Sequence, residues 1–188
     1  MNDVVEKETE HAIASAMKDI IVTVQELLKK PEGFPALILI YSALDIVGSL
    51  LRPKSQPDTS GQDFKNWVDH YVIKGSSLPI TSDDLWAARC GLLHTNTPSS
   101  KNSRSSKARE VHYTKGDKKV AGFLQQEFQK AGNTKVVVDI DVLFDVFLDG
   151  LMRFTHDIKT DASSGTGPYT MPRRCLLTQP SSRLSKLH

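Results

Sequence analysis

The chain has few of the features that would assign it at once to a familiar class. It holds two cysteines, Cys90 and Cys175, in 188 residues, which gives no disulfide framework of the kind found in small secreted domains. No apolar run approaches the roughly 20 residues that a membrane-spanning helix requires. The N-terminal sequence MNDVVEKETE is acidic and polar, unlike a secretory signal or a transit peptide. We therefore expect a globular protein of the cytoplasm that has no membrane partner.

Common catalytic signatures are also missing from the sequence. It contains no GxxxxGK[ST] phosphate loop, no HExxH zinc motif and no GxSxG nucleophile motif. Cys90 and His94 are spaced i, i+4, which could hold half of a zinc site, but no second pair with ligand spacing exists to complete it. The sequence therefore predicts neither a metal site nor another cofactor.

Charge is distributed unevenly along the chain, although the formal net charge is only +2. Residues 1–100 carry nine Lys and Arg against thirteen Asp and Glu, whereas residues 101–188 carry fifteen against nine. Seven of the cations fall in residues 101–119, together with only two acids. Such a basic segment favours contact with phosphate groups, and a solvated loop without a ligand is the alternative interpretation.

Apolar periodicity predicts a mainly α fold. Helices are expected over residues 3–30, from Pro35, over residues 64–73, from Thr81 or Ser82, and from Asp141 onward. Residues 110–114 and 134–140 are rich in β-branched and aromatic side chains, so we expect two strands that pair with each other, with a short helix between them. The predicted architecture is an antiparallel bundle of about five helices over residues 1–160, with a small β-hairpin insertion at about 100–138. Residues 161–188 have no periodicity and predict a flexible C-terminal tail.

One arginine and one histidine stand out on the apolar fourth helix. Arg89 and His94 are five residues apart, so on a regular helix they lie about 140° apart around the axis and about 7.5 Å along it. A contact between them therefore requires a loosened helix end before Pro98, an arginine that wraps around the helix, or pairing across two subunits. The alternative is that Arg89 forms a structural ion pair with Asp45 and that His94 is a polar helix-end residue.

The R-x4-H spacing, together with YSALDIVGSLLRP and FKNWVDHYV, resembles the HEPN superfamily (higher eukaryotes and prokaryotes nucleotide-binding domains), in particular plasmid- and phage-borne bacterial members. The resemblance covers residues 35–100 and extends more loosely to residue 160. It implies a HEPN-like helical bundle and a metal-independent endoribonuclease in which Arg89 and His94 are catalytic. It also implies a homodimer whose two motifs face one cleft, a role as a toxin or phage-defence effector, and an antitoxin protein as a partner.

Other residues are assigned supporting roles under this interpretation. Asp45 could orient Arg89, and Asn96 could add a polar group beside His94. The expected RNA-binding side chains are those of Lys101, Arg104, Lys107, Arg109 and Tyr113. Active members often carry a polar residue directly after the arginine, where this chain has Cys90. The alternative function is therefore a catalytically silent HEPN domain that acts as an RNA-binding or dimeric assembly module.

Overall fold

The computed structural model describes residues 2–50, 56–95 and 97–164 of the chain. Its elements, in order, are α1 (Asn2–Leu28), α2 (Phe34–Ser49), α3 (Gly61–Trp67), a π-helical segment (Val68–Ile73), α4 (Ser82–Thr95), α5 (Lys101–Arg104), β1 (Glu110–Thr114), α6 (Lys118–Lys130), β2 (Lys135–Asp139) and α7 (Ile140–Ser164). The mainly helical class is confirmed. The described part of the chain has seven α-helices: the five expected for the bundle, the short helix expected between the strands (α6), and α5 in the basic segment, which was not predicted.

The core forms where α2, the α3–π helix and α7 pack together, with α1 along α2 and α7. The apolar spacing of the third predicted helix places Phe64, Trp67, Val68 and Tyr71 inward, and that of the last helix does the same for Leu143, Phe144, Phe147, Leu151, Phe154 and Ile158. All of these residues are buried, so both predictions are confirmed. Trp67 lies at the centre, with its ring centroid 5.4 Å from that of Tyr71, 6.1 Å from Phe147 and 5.9 Å from Phe154. Burying aromatic side chains of this size is worth about 1.5–3 kcal/mol each, so this cluster is a main source of stability.

The third helix changes from α to π geometry at Val68. The change is marked at its end by the Lys74 amide, which donates to the Asp69 carbonyl at 3.1 Å, a five-residue step. The wider turn coincides with a very close approach of α7, because a Cβ on Gly150 would lie only 2.4 Å from the Tyr71 carbonyl oxygen. Glycine at this position therefore permits α7 to pack directly against the backbone of the π segment.

The two predicted strands exist, but the β-hairpin prediction is wrong. β1 pairs with β2 in parallel, from Glu110 opposite Lys135 to Thr114 opposite Asp139. Parallel strands require a crossover connection of a dozen or more residues, and α6 provides it. Gln125 of α6 also binds β2 directly, because its Oε1 accepts from the Val137 amide at 2.9 Å. The insertion is a small β-α-β unit.

The last helix continues into the segment predicted as a tail. α7 runs to Ser164, whereas the tail was expected to begin at residue 161. The remainder of the predicted tail, residues 165–188, lies outside the described residues. Among those that are described, no helix is long and apolar enough to cross a membrane.

Replacing Gly150→Ala should destabilise the protein, because the new methyl group would collide with the Tyr71 carbonyl and force α7 away from the π segment. Overpacking of this kind typically costs about 1–3 kcal/mol. We expect a decrease of that size in the free energy of unfolding measured by urea denaturation.

Gly122→Ala on α6 is the matched control, since a Cβ there meets nothing within 4 Å. Alanine has the higher helix propensity, so this variant should be unchanged or more stable by up to about 1 kcal/mol. Equal effects at the two glycines would contradict the close approach described for α7.

Candidate functional site

The site is built on α4, whose ends and buried face are determined locally. Thr81 caps the helix, because its Oγ1 accepts from the Asp84 amide at 3.2 Å while its own amide donates to the Asp84 carboxylate at 3.0 Å. The apolar spacing of this helix predicts a buried stripe of Leu85, Ala88 and Leu92, with Leu93 as a further candidate. The first three are buried against the core, as predicted, and Leu93 is partly buried. α4 is thereby held against α2, α3 and β1, and Arg89 emerges half-buried at the edge of that contact.

Arg89 contacts both of the residues that were its alternative partners. Its Nε donates to Asp45 Oδ2 at 2.8 Å, and its Nη2 lies 2.6 Å from the same oxygen. Its Nη1 lies 3.1 Å from His94 Nε2. The structural ion pair and the Arg89–His94 contact therefore coexist in one chain, and the contact needs no second subunit.

The Arg89–His94 contact determines which imidazole nitrogen is protonated. A guanidinium has five N–H donors and no acceptor, so Nη1 can only donate. His94 Nε2 must then accept, which places the proton of the neutral ring on Nδ1. In this state Nε2 has a lone pair directed at Arg89, and the exposed imidazole stands at the surface beside the guanidinium.

The environment of Arg89 keeps its charge. Partial burial by itself lowers the pKa of Arg89, but the hydrogen bond and negative charge of Asp45 outweigh that effect and raise the pKa above its usual value. The side chains of the two partners retain 21% and 26% of their exposure, so the pair is mostly desolvated but still reachable by a ligand. The guanidinium carbon also lies 5.2 Å from the centre of the Trp86 ring, within the range of a cation–π contact.

A cavity of about 320 Å³ adjoins this cation. Its walls are formed by α2, by the loop before α3 and by α4, through Asp45, Ile46, Ser49, Ser60, Trp86 and Arg89. The volume lies at the lower end of the range for small-molecule pockets. A group that entered the cavity would meet an indole face, hydroxyl groups and the Asp45–Arg89 pair.

Trp86 belongs to this site, although the sequence alone favours a core position for it. The centroid of its ring lies 5.3 Å from that of Phe64, and the Arg89 guanidinium carbon lies 5.2 Å from the same ring. The residue is half-buried and is one of those lining the cavity. The available signal was its i, i+3 spacing to Arg89, which places both side chains on one helix face.

The chain turns back along α4 after that helix ends at Thr95. The Thr97 amide donates to the Gly91 carbonyl at 3.2 Å, and a Cβ on Gly91 would lie 2.5 Å from the Thr97 carbonyl oxygen. Glycine at this position therefore allows the chain before the basic segment to pass close to the backbone of α4. Asn96, the predicted supporting residue, lies outside the described residues.

The predicted RNA-binding cations have two different environments. Lys101, Arg104 and Lys107 are exposed on and after α5, the short helix that follows the turn. Arg109 instead binds groups of the protein itself. Its amide donates to the Asp84 carboxylate at 2.7 Å, and its Nη2 lies 2.6 Å from the same carboxylate. The same Nη2 also donates to the Pro79 carbonyl at 2.8 Å. The Asp84 side chain is only 3% exposed, so Arg109 neutralises a buried charge.

Tyr113 also turns towards the interior. Its hydroxyl is hydrogen-bonded to that of the buried Tyr41, and the two rings meet edge to face at 6.5 Å. Burial raises the pKa of both phenols, so both remain protonated at any physiological pH. The structure thus shows a structural contact for Tyr113, and its role towards RNA stays a prediction.

Comparison of the chain with family models, with curated proteins and with solved structures finds no match. The described residues also contain no group of three or more His, Cys, Asp or Glu side chains that could hold a metal ion. The geometry around Arg89 is therefore the basis on which a function is proposed below.

Replacing Arg109→Ala should destabilise the fold, because it leaves the Asp84 carboxylate buried without its cation. Loss of one partner of a buried pair typically costs about 3–5 kcal/mol, and the partial exposure of Arg109 favours the lower value. We expect the free energy of unfolding at pH 7, measured in urea, to fall by about 3 kcal/mol.

The matched control is Arg104→Ala. The exposed Arg104 side chain makes a long hydrogen bond, 3.4 Å to Ser99 Oγ, so its removal should change the free energy of unfolding by less than about 0.5 kcal/mol.

The loss of stability in the Arg109→Ala variant should also depend on pH. Burial raises the pKa of Asp84, but the hydrogen bonds from Arg109 outweigh burial and lower it below 3.8. This stabilisation is therefore present above pH 3.8 and is lost as the pH falls through the lowered value. A pH-independent difference would contradict this assignment.

Proposed function

We propose that the protein is a metal-independent endoribonuclease of the HEPN type, which cleaves RNA by attack of the 2′-hydroxyl on the adjacent phosphate. One observation carries the proposal: the Arg89 guanidinium, fixed by Asp45, lies within hydrogen-bond distance of His94 Nε2 at the protein surface. The pairing of a permanent cation with a neutral imidazole suits phosphodiester chemistry that uses the substrate's own nucleophile.

Arg89 would bind the scissile phosphate. Asp45 and His94 occupy three of its five N–H groups in the described structure, so the guanidinium edge can still donate to phosphoryl oxygens. A phosphate would compete with His94 for Nη1, because an anionic oxygen is the stronger acceptor. Binding of the substrate would therefore release His94 Nε2 at the place where a base is needed.

His94 would then move the proton. Its Nε2 takes the proton of the 2′-hydroxyl while the 2′-oxygen forms a bond to phosphorus and the bond from phosphorus to the 5′-oxygen breaks. Arg89 stabilises the charge that builds on the phosphoryl oxygens in the transition state. The leaving 5′-oxygen takes a proton from a protonated imidazole, and the products are a 2′,3′-cyclic phosphate and a 5′-hydroxyl.

A homodimer would supply both proton-transfer groups at once. In a symmetric dimer whose two motifs share one cleft, His94 of one subunit acts as the base and His94 of the other acts as the acid. The Arg89–His94 pair is already complete within one chain, so the second subunit would add an acid rather than a missing arginine. A toxin or phage-defence role, with an antitoxin as partner, is proposed on the family resemblance.

The RNA chain would leave the site over α5. Lys101, Arg104 and Lys107 are exposed on and after α5, and α5 packs against α4, the helix that carries His94. Exposed cations of this kind neutralise backbone phosphates without reading sequence. Arg109 and Tyr113 are held inward by Asp84 and Tyr41, so the exposed three are the better candidates for this contact.

The second candidate function is a catalytically silent HEPN domain that binds RNA or mediates assembly. The observation that favours it is the Arg89–His94 bond itself, because it occupies the nitrogen that would act as the base. Cys90 adds to this, since a thiol is a weak hydrogen-bonding group where active members often have a stronger one. The two functions differ in whether RNA is cut.

Purified protein should cleave single-stranded RNA in excess EDTA and leave 2′,3′-cyclic phosphate ends. Arg89→Ala and His94→Ala should each lower the single-turnover rate by about 100-fold or more, because each removes a group that acts in the transition state. The rate and the chemistry of the ends are measured on end-labelled RNA.

Lys29→Ala, which removes an exposed cation that pairs with Glu26 on α1, is the matched control and should leave the rate unchanged. RNA binding without cleavage by the wild type would remove the nuclease proposal and leave the binding module. Absence of both binding and cleavage would leave Arg89 with a structural role alone.

Replacing Lys101, Arg104 and Lys107 together by alanine should weaken RNA binding and reduce its salt dependence. Each phosphate contact on a single strand contributes about 0.7 to the slope of log K against log salt, so the slope should fall by about 2. Binding is measured in the His94→Ala background by fluorescence anisotropy. The control replaces Lys118 and Lys119, which lie in the same basic segment but on α6; an equal change there would show that α5 is not the path.

A further inference from the structure

A second cleft lies between the π segment and α7, and it shares no residue with the cavity beside Arg89. Its volume is about 580 Å³, within the range of sites for small organic ligands. It is lined by two side chains that are always cationic, Lys74 and Arg153, and by two imidazoles, His70 and His156. The sequence alone predicts ordinary surface or boundary positions for His70 and His156, which have no motif around them.

The one acid in the cleft is already engaged. Asp157 Oδ2 accepts from the Tyr71 hydroxyl at 3.0 Å, so its charge is directed at a buried phenol. With both histidines neutral the lining carries one net positive charge, and each imidazole that gains a proton adds one more. The cleft is therefore suited to an anion with several acceptor oxygens.

Arg153 is fixed at the wall by the geometry of the π segment. Its Nη2 donates to the Tyr71 carbonyl at 2.5 Å, at the point where α7 approaches that backbone most closely. A guanidinium anchored through one nitrogen keeps other N–H groups for a ligand. Single π turns within α-helices are frequent at functional sites, because they displace side chains from regular α-helical positions.

The remaining wall is apolar. Met152 is 64% exposed, which makes it the most exposed large hydrophobic side chain of the described residues. The His70 ring packs edge to face on Tyr71 at 4.6 Å and presents a flat surface. A thioether and an aromatic surface next to cations would contact an aromatic ring while the cations hold its charged group.

We propose that the cleft between the π segment and α7 binds a small aromatic phosphate ester, with Lys74, Arg153 and His156 on the phosphate and Met152 and His70 against the ring. The juxtaposition of a cationic edge and an exposed apolar wall is what distinguishes this ligand class from inorganic phosphate. The proposal stands on residues that the nuclease does not use, so either can fail without the other.

Titration of the full chain with phenyl phosphate, inorganic phosphate and phenol tests both parts of this recognition. Binding is followed by calorimetry and by shifts of the His70 and His156 ring protons in NMR spectra. We expect phenyl phosphate to bind about tenfold more tightly than inorganic phosphate and to shift both histidines, and phenol to bind more weakly than either.

Variants separate the two halves of the site. Lys74→Ala and His156→Ala should each weaken phenyl phosphate binding by about five- to tenfold, since each removes a charge-assisted hydrogen bond. Met152→Ser should lower the affinity for phenyl phosphate and leave that for inorganic phosphate unchanged. Lys118→Ala, an exposed cation on α6, is the control and should have no effect.

Three results would overturn the proposal. The first is no phenyl phosphate binding at millimolar concentration to wild-type protein whose thermal unfolding shows it to be folded. The second is binding that none of the Lys74, His156 and Met152 variants alters. The third is binding of an RNA oligonucleotide that the Lys74→Ala variant weakens, while phenyl phosphate does not bind the wild type. The cleft would then be a surface that contacts RNA.

Discussion

The ion pair between Arg89 and Asp45 is the interaction on which the candidate site depends. It joins α4 to α2 at a place where both helices otherwise present apolar side chains to the core. A half-buried cation is tolerated there because a carboxylate satisfies it, and the same carboxylate limits the directions in which the guanidinium can turn. Trp86 on one side and His94 on the other then contact a group whose position is fixed. The Arg89–Asp45 ion pair therefore belongs to both hypotheses: in the catalytic one it positions the guanidinium, and in the structural one it only stabilises the fold.

The five-residue spacing of Arg89 and His94 is bridged by the length of the arginine side chain. Its Nη1 reaches His94 Nε2 at 3.1 Å, although the two residues lie on different faces of a regular helix. The arginine is long enough to cover the angle that remains between the two residues, and α4 stays helical through Thr95. Of the three ways in which the sequence allowed Arg89 and His94 to meet, the structure shows the second, an arginine that wraps around the helix. Neither a break in the helix nor a second chain is required for the contact.

Apolar spacing within single helices predicted much of this fold. It could not predict pairings between residues far apart in the sequence. The apolar stripe of α4 and the inward face of the third helix follow from spacing alone, because each depends on one helix. The positions of the two strands were predicted correctly, but their relative direction was wrong, although a helix such as the one expected between them is the usual connection between parallel strands. Arg109 resembled the other cations of its segment, since its partner Asp84 lies 25 residues earlier. The π segment has no signal of its own in the sequence.

The proposed nuclease would need the Arg89–His94 bond to open when RNA binds. In the structure the guanidinium occupies Nε2, which is the nitrogen proposed to act as the base. A phosphate on the guanidinium would be the stronger acceptor, so it would displace the imidazole and free Nε2 next to the ribose. Asp45 would be essential to this exchange, because it would keep Arg89 in place after the release of His94. Cys90 could not replace Asp45, since a thiol holds a guanidinium far more weakly than a carboxylate does. The pair at the surface is therefore consistent with catalysis only because of the carboxylate behind it.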